Sequence, residues 1–137
     1  MTTPLRRYLR LLAGLTILSA LGQLVLPAQI GAASAWGFSP GWQREIGFWN
    51  LAMYLVIART LRADDAVGGR TVAIALVVLQ LVAGTNHAVD AIQSHARLNT
   101  VMAVVNYACV LLGVLAVCHP PSRAQPPTQA CDGGRLH

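Results

Sequence analysis

A chain of 137 residues that is 55% hydrophobic and 11% charged, with a mean hydropathy of +0.53, is too apolar for a soluble domain, where about a quarter of residues would be charged. The net charge of +5 does not mark a nucleic-acid-binding protein, because lysine is absent and the arginines stand singly or in small groups at the ends of apolar runs. That placement is the pattern of membrane topology and leaves no basic recognition face, so the implied partner is the lipid bilayer and no nucleic acid.

The first segment carries Arg6, Arg7 and Arg10, after which Leu11 to Leu26 runs without a charge. With an amphipathic entry at Tyr8 and an exit near Ala28, the first span is placed at residues 8–28, close to the roughly 20 residues that cross a bilayer. Pro27 falls near its far end, where a missing backbone donor costs least. Gly14, Ala20 and Gly22 supply small residues for close helix approach. Arginines, an apolar core and then Ala33-Ser34-Ala35 also have the outline of a cleaved secretory signal. The apolar run is long for a signal and the triplet lies well past its end, which favours a retained span.

Ile30 to Gly41 is small and polar-neutral, and its Trp36 and Phe38, with Trp42 just beyond, read as aromatics at a membrane–water boundary. The second span, residues 44–62, opens on Arg44-Glu45 and closes on Arg59 and Arg62. Asp64, Asp65 and the pair Gly68-Gly69 give the next link a turn composition. The third span, residues 71–92, holds Gln80 near its middle and Thr85, Asn86, His87 and Asp90 toward its end. A tight turn leads into the fourth, residues 98–118, which carries Asn99, Asn106 and Tyr107. Residues 1–118 thus form one transmembrane domain. Residues 119–137, with four prolines and no apolar periodicity, read as a disordered cytoplasmic tail.

With a cytoplasmic N-terminus, Arg6, Arg7, Arg10, Arg59, Arg62, Arg70, Arg123 and Arg135 all fall inside, against Arg44 and Arg97 outside. This positive-inside bias puts both termini in the cytoplasm. The expected fold is all-α, an integral membrane four-helix up-down-up-down bundle with short links.

That topology gathers polar residues of three helices in the outer half of the bilayer. Glu45 and Asn50 begin the second helix there, Asn86, His87 and Asp90 end the third, and Asn99 and Asn106 begin the fourth, with Gln23 at similar depth. His87 and Asp90, three residues apart, share a helix face, and ionisable groups within a span ordinarily face a bundle interior or a cavity. The expected ligand-binding cluster is Glu45, His87, Asp90 and Asn106, with Asn50, Asn86 and Asn99 at its edge. For catalysis the candidates are His87, Asp90 and Glu45, since an imidazole oriented by a carboxylate titrates near neutrality. The structural alternative is that these groups are interhelical hydrogen-bond partners worth about 1 kcal/mol each. Arg44 would then pair with Glu45 or Asp90, and Arg97 with Asp90. One imidazole and two carboxylates make a thin metal set. No C-x-x-C occurs among Cys109, Cys118 and Cys131 and no G-x-S-x-G surrounds a serine, so redox-disulfide and serine-hydrolase chemistry are unsupported. Cys109 reads as a small packing residue.

The run Arg10-Leu-Leu-Ala-Gly-Leu-Thr-Ile-Leu-Ser-Ala-Leu-Gly-Gln-Leu-Val-Leu-Pro27 resembles the opening helix of the DoxX-like small four-helix membrane proteins, in which an Arg and two Gly punctuate a Leu-rich span. The likeness extends over roughly residues 10–117 in its number of spans and short links. It implies a multi-pass protein of the bacterial inner membrane, in a family where some members are membrane subunits of quinone-linked sulfur oxidation. This chain has no cysteine on the outer side for sulfur chemistry. Two functions follow as expectations. One is a non-enzymatic membrane protein whose polar cluster binds a lipid-like small molecule or a partner subunit. The other is a membrane subunit of a quinone-linked oxidoreductase, or a small membrane enzyme, using His87 and Glu45 for proton transfer with quinone as cofactor. A homo-oligomer formed through small residues is compatible with either.

Overall fold

The computed structural model describes residues 1–120, which are helical and contain no strand. Residues 121–137, most of the expected tail, lie outside the described residues. Five helices follow one another: α1 (Thr3–Val25), α2 (Pro27–Ala33), α3 (Pro40–Ala63), α4 (Ala66–Ser94) and α5 (Arg97–Cys118).

Proline decides the first boundary. A residue preceding proline is pushed out of the helical region by the pyrrolidine ring, and Leu26 accordingly sits at φ −122°, ψ 43°. Pro27 then opens α2 in the first turn, where its missing N–H is not needed. The first helix therefore stops at Val25 rather than running to residue 28, and a seven-residue helix stands where none was expected. Pro40 opens α3 in the same way.

At the other end of α3, Asp64 takes a left-handed conformation (φ 49°), and Asp65 caps α4 by accepting from the N–H groups of Val67 and Gly68 at 3.0 and 2.9 Å. Such a cap is worth about 1 kcal/mol, and it starts the helix five residues earlier than the apolar run alone suggests. Gly68 and Gly69, expected in a turn, belong to the first turns of α4. Gly69 is there for closeness: a Cβ on it would lie 2.8 Å from Met1 Sδ.

Three helices, α1, α4 and α5, are long and apolar enough to cross a membrane. α3 is as long as α1, about 36 Å at 1.5 Å per residue, but Asn50, Arg59 and Arg62 interrupt its apolar stretch. Large apolar side chains face outward along every long helix, among them Leu18, Leu55, Val82 and Leu111. An apolar exterior of that extent marks a surface met by lipid or another protein.

The most extensive packing joins α1 to α3 and α4 to α5, and contacts of α1 with α4 and α5 hold the two pairs together. Leu5, Tyr8, Leu9 and Leu12 of α1 form the centre of the core with Ile57, Ala73, Leu76, Cys109 and Ala116. Cys109 is thus a core packing residue, as its sequence setting suggested. The tightest crossing is at Gly113, where a Cβ would collide with Val77 of α4 and Tyr8 of α1. Gly14 has open space in front of it and Gly22 meets only Ile30, at 3.7 Å. Of the three small residues expected to mediate close approach in α1, only Ala20 is buried.

Arg6 and the N-terminal amine pair with Asp64 at 2.5 and 3.4 Å, fixing the start of α1 beside the α3–α4 link. The hydrogen bond from Arg6, and then that from the amine, hold the Asp64 carboxyl below its ordinary pKa. At the opposite end lie α2, the 34–39 segment and the α4–α5 turn, where His95 caps α4 in a left-handed conformation (φ 55°).

Candidate functional site

The polar residues at this second end are assembled by the 34–39 segment, which crosses from α2 to α3 and is pinned to α4 and α5. Asn99, two residues into α5 and only 1% exposed, accepts a hydrogen bond from the Ala35 N–H at 2.9 Å. Its amide nitrogen faces His87 Nδ1 at 3.4 Å. Trp36 stacks on the His87 ring with centroids 5.0 Å apart and planes 28° from parallel. Its indole N–H donates to Asp90 Oδ2 at 2.6 Å.

Four side chains from three parts of the chain, Trp36, His87, Asp90 and Asn99, therefore form one clamp. The hydrogen bonds pair groups that would otherwise need water, and with the ring stack they hold an irregular segment against two regular helices. Asp90 accepts from Trp36, and among the described residues it makes no hydrogen bond to His87, so the pairing that would orient His87 for acid–base work is not formed. Arg44 and Arg97 form no ion pair with Glu45 or Asp90 among the described residues, whose ion pairs are those at Asp64.

The other expected site residues lie apart from the clamp. Asn106 is buried but donates to Met102 O of its own helix at 2.6 Å, and Asn50 likewise donates to Ile46 O at 2.9 Å. Asn86 is exposed. Glu45 is exposed on α3, where it shares a shallow cleft of about 290 Å³ with Trp42, Ile46 and Trp49. The expected centre of Glu45, His87, Asp90 and Asn106 thus separates: His87 and Asp90 stay together, Asn99 moves from the edge to the middle, and Glu45 and Asn106 leave. Among the described residues no three His, Cys, Asp or Glu side chains come together as a metal set.

Beside the clamp runs an open groove of about 520 Å³ between α4 and α5, lined by Ala88, Ala91, Ala103, Ile92, Val104 and Tyr107, with His95 and Thr100 at the end nearer the α4–α5 turn. Successive helical residues turn by about 100°. Ala88 and Ala91 each follow a clamp residue, His87 and Asp90, by one position, so clamp and groove occupy adjacent faces of α4. Small side chains on both helices make this depression, and the polar pair sits where the chain leaves the helices. Farther in, Tyr107 and Thr85 join the two helices through their hydroxyls at 3.2 Å.

Sequence reasoning missed two features. Trp36 read only as an interfacial aromatic, because its partners are 51 and 54 positions away and no local periodicity connects them. The groove owes its depth to alanines on two helices, Ala88 and Ala91 of α4 and Ala103 of α5, which carry no chemical signal in the sequence. No family model, no curated protein and no solved structure matches the chain.

Proposed function

We propose that the protein is a non-enzymatic, multi-pass inner-membrane protein, resembling the DoxX-like group, that binds a lipid-like amphiphile in the groove between α4 and α5. In this reading α1, α3, α4 and α5 form an up-down-up-down bundle with the Asp64 end in the cytoplasm. The clamp end faces outward. The observation that carries the proposal is the groove itself. Its volume falls within the roughly 300–1,000 Å³ of small-molecule sites. Its apolar lining of Ala88, Ala91, Ala103, Ile92 and Val104 accepts an apolar chain, and His95 and Thr100 offer polar contacts to a headgroup at one end. The clamp contributes rigidity, because it ties the outer ends of α4 and α5 to the 34–39 segment and keeps the groove from collapsing.

The test is mass spectrometry of small molecules retained by the purified full-length chain, together with thermal stabilisation when the retained species is added back. An amphiphile held by the wild type and lost in Ala91→Phe, whose ring fills the groove, supports the proposal. A preparation without any retained amphiphile, or retention unchanged in Ala91→Phe, overturns it.

A further inference from the structure

We propose that Trp42, Glu45 and Trp49 form a binding site for an alkylammonium cation at the outer end of α3, separate from the α4–α5 groove. The three residues stand at i, i+3 and i+7 of one helix and therefore on one face, with Ile46 between them at the bottom of the cleft they share. Trp42 and Trp49 are about 10.5 Å apart along the axis at 1.5 Å per residue, and both indoles are exposed. A methylated ammonium group enters between them with a ring on either side and a carboxylate at its centre.

The charge pattern selects the ligand. Glu45 makes no ion pair among the described residues, whose two ion pairs both lie at Asp64 on the far end of the molecule. Arg44 precedes it by one position and so projects about 100° around the helix, away from the cleft face. An aromatic belt at a membrane boundary accounts for indoles alone but has no use for an acid held between two of them. The face of an indole attracts cations, and the pairing of aromatic faces with a negative charge is the arrangement that recognises quaternary ammonium groups. A metal ion fits less well, because a hard cation asks for six or more oxygen ligands and the cleft offers one carboxylate. Ile46 supplies the apolar contact that methyl or methylene groups next to the nitrogen require.

A membrane lipid headgroup and a free quaternary amine share this chemistry. The experiment titrates choline chloride, at constant ionic strength, into the full-length protein in nanodiscs of phosphatidylglycerol alone, and follows tryptophan fluorescence. The expected result is a saturable change in wild type that is about two- to fivefold weaker in Glu45→Gln, which removes the one exposed charge–charge contact of the site. Trp49→Leu, read through Trp42 in a Trp36-containing background, weakens it comparably. Repeating the titration in phosphatidylethanolamine discs distinguishes the sources: loss of the choline response there identifies the headgroup amine as occupant, and a persisting response identifies a soluble amine. No saturable change in the phosphatidylglycerol discs, or Glu45→Gln titrating as wild type, overturns the site. Neither outcome bears on amphiphile retention in the groove.

Discussion

Replacing Asn99 by alanine tests what the clamp does. Asn99 is almost wholly buried and holds Ala35 N–H at 2.9 Å, so its truncation leaves a part-buried backbone donor without a partner. That omission costs about 1–3 kcal/mol. The 3.4 Å contact to His87 is long and adds little, so the expected loss stays at about 1–3 kcal/mol. Trp36→Phe keeps the stack on His87 but removes the indole donor to Asp90. This bond is exposed to solvent, and the expected cost is about 1 kcal/mol. Because both changes release the same segment, the double variant should lose less than the sum. Equilibrium unfolding in mixed micelles, followed by circular dichroism, gives the energies. Chymotrypsin, which cuts after Trp36 and Phe38, reports the freed segment. Stability within about 0.5 kcal/mol of wild type, the range of an ordinary surface substitution, together with unchanged cleavage in Asn99→Ala, would refute the clamp.

Two glycines of similar sequence context should respond in opposite ways. Gly113→Ala forces a methyl into Val77 and Tyr8 and should destabilise by about 1–3 kcal/mol, whereas Gly14→Ala meets open space and should be neutral or stabilising by up to about 1 kcal/mol; the same unfolding assay separates them. The tie between Arg6 and Asp64 should show in acid. The Asp64 carboxyl is held below its ordinary value near 3.8, so the stability it contributes is fully present above that value and is lost as pH falls through the lowered one. The stability difference between wild type and Asp64→Asn should therefore be constant near neutrality and shrink in the acid limb. A difference that grows on acidification contradicts the assignment.

The long helices were legible because their signals are local. Apolar runs bounded by Arg10, Arg59, Arg62 and Arg97 placed α1, α3, α4 and α5 to within a few residues at most boundaries, the largest departures being the starts of α1 and α4. Those early starts come from groups that hydropathy does not weigh: Pro4 in the first turn of α1 and the Asp65 cap of α4. α2 was hidden because Pro27 reads equally as the end of one helix and the beginning of another, and only the conformation of Leu26 decides. At the site, His87 and Asp90 stood out by being ionisable in an apolar stretch, and they do share a cluster. Their partners could not be read the same way. Asn99 and Asn106 lie on one face of α5 and are both buried, yet one reaches across to the 34–39 segment and the other turns back to its own backbone. That choice depends on where the segment lies, which no periodicity encodes.

The orientation proposed for the helices underlies the outward placement of the clamp, the groove mouth and the Glu45 cleft. Single cysteines at Ser94 and Asp65, introduced in turn into a chain whose native cysteines are changed to alanine, test it by labelling intact cells with a membrane-impermeant maleimide. The account predicts labelling at position 94 and none at position 65 until the membrane is opened. Labelling at position 65 with position 94 protected would contradict it.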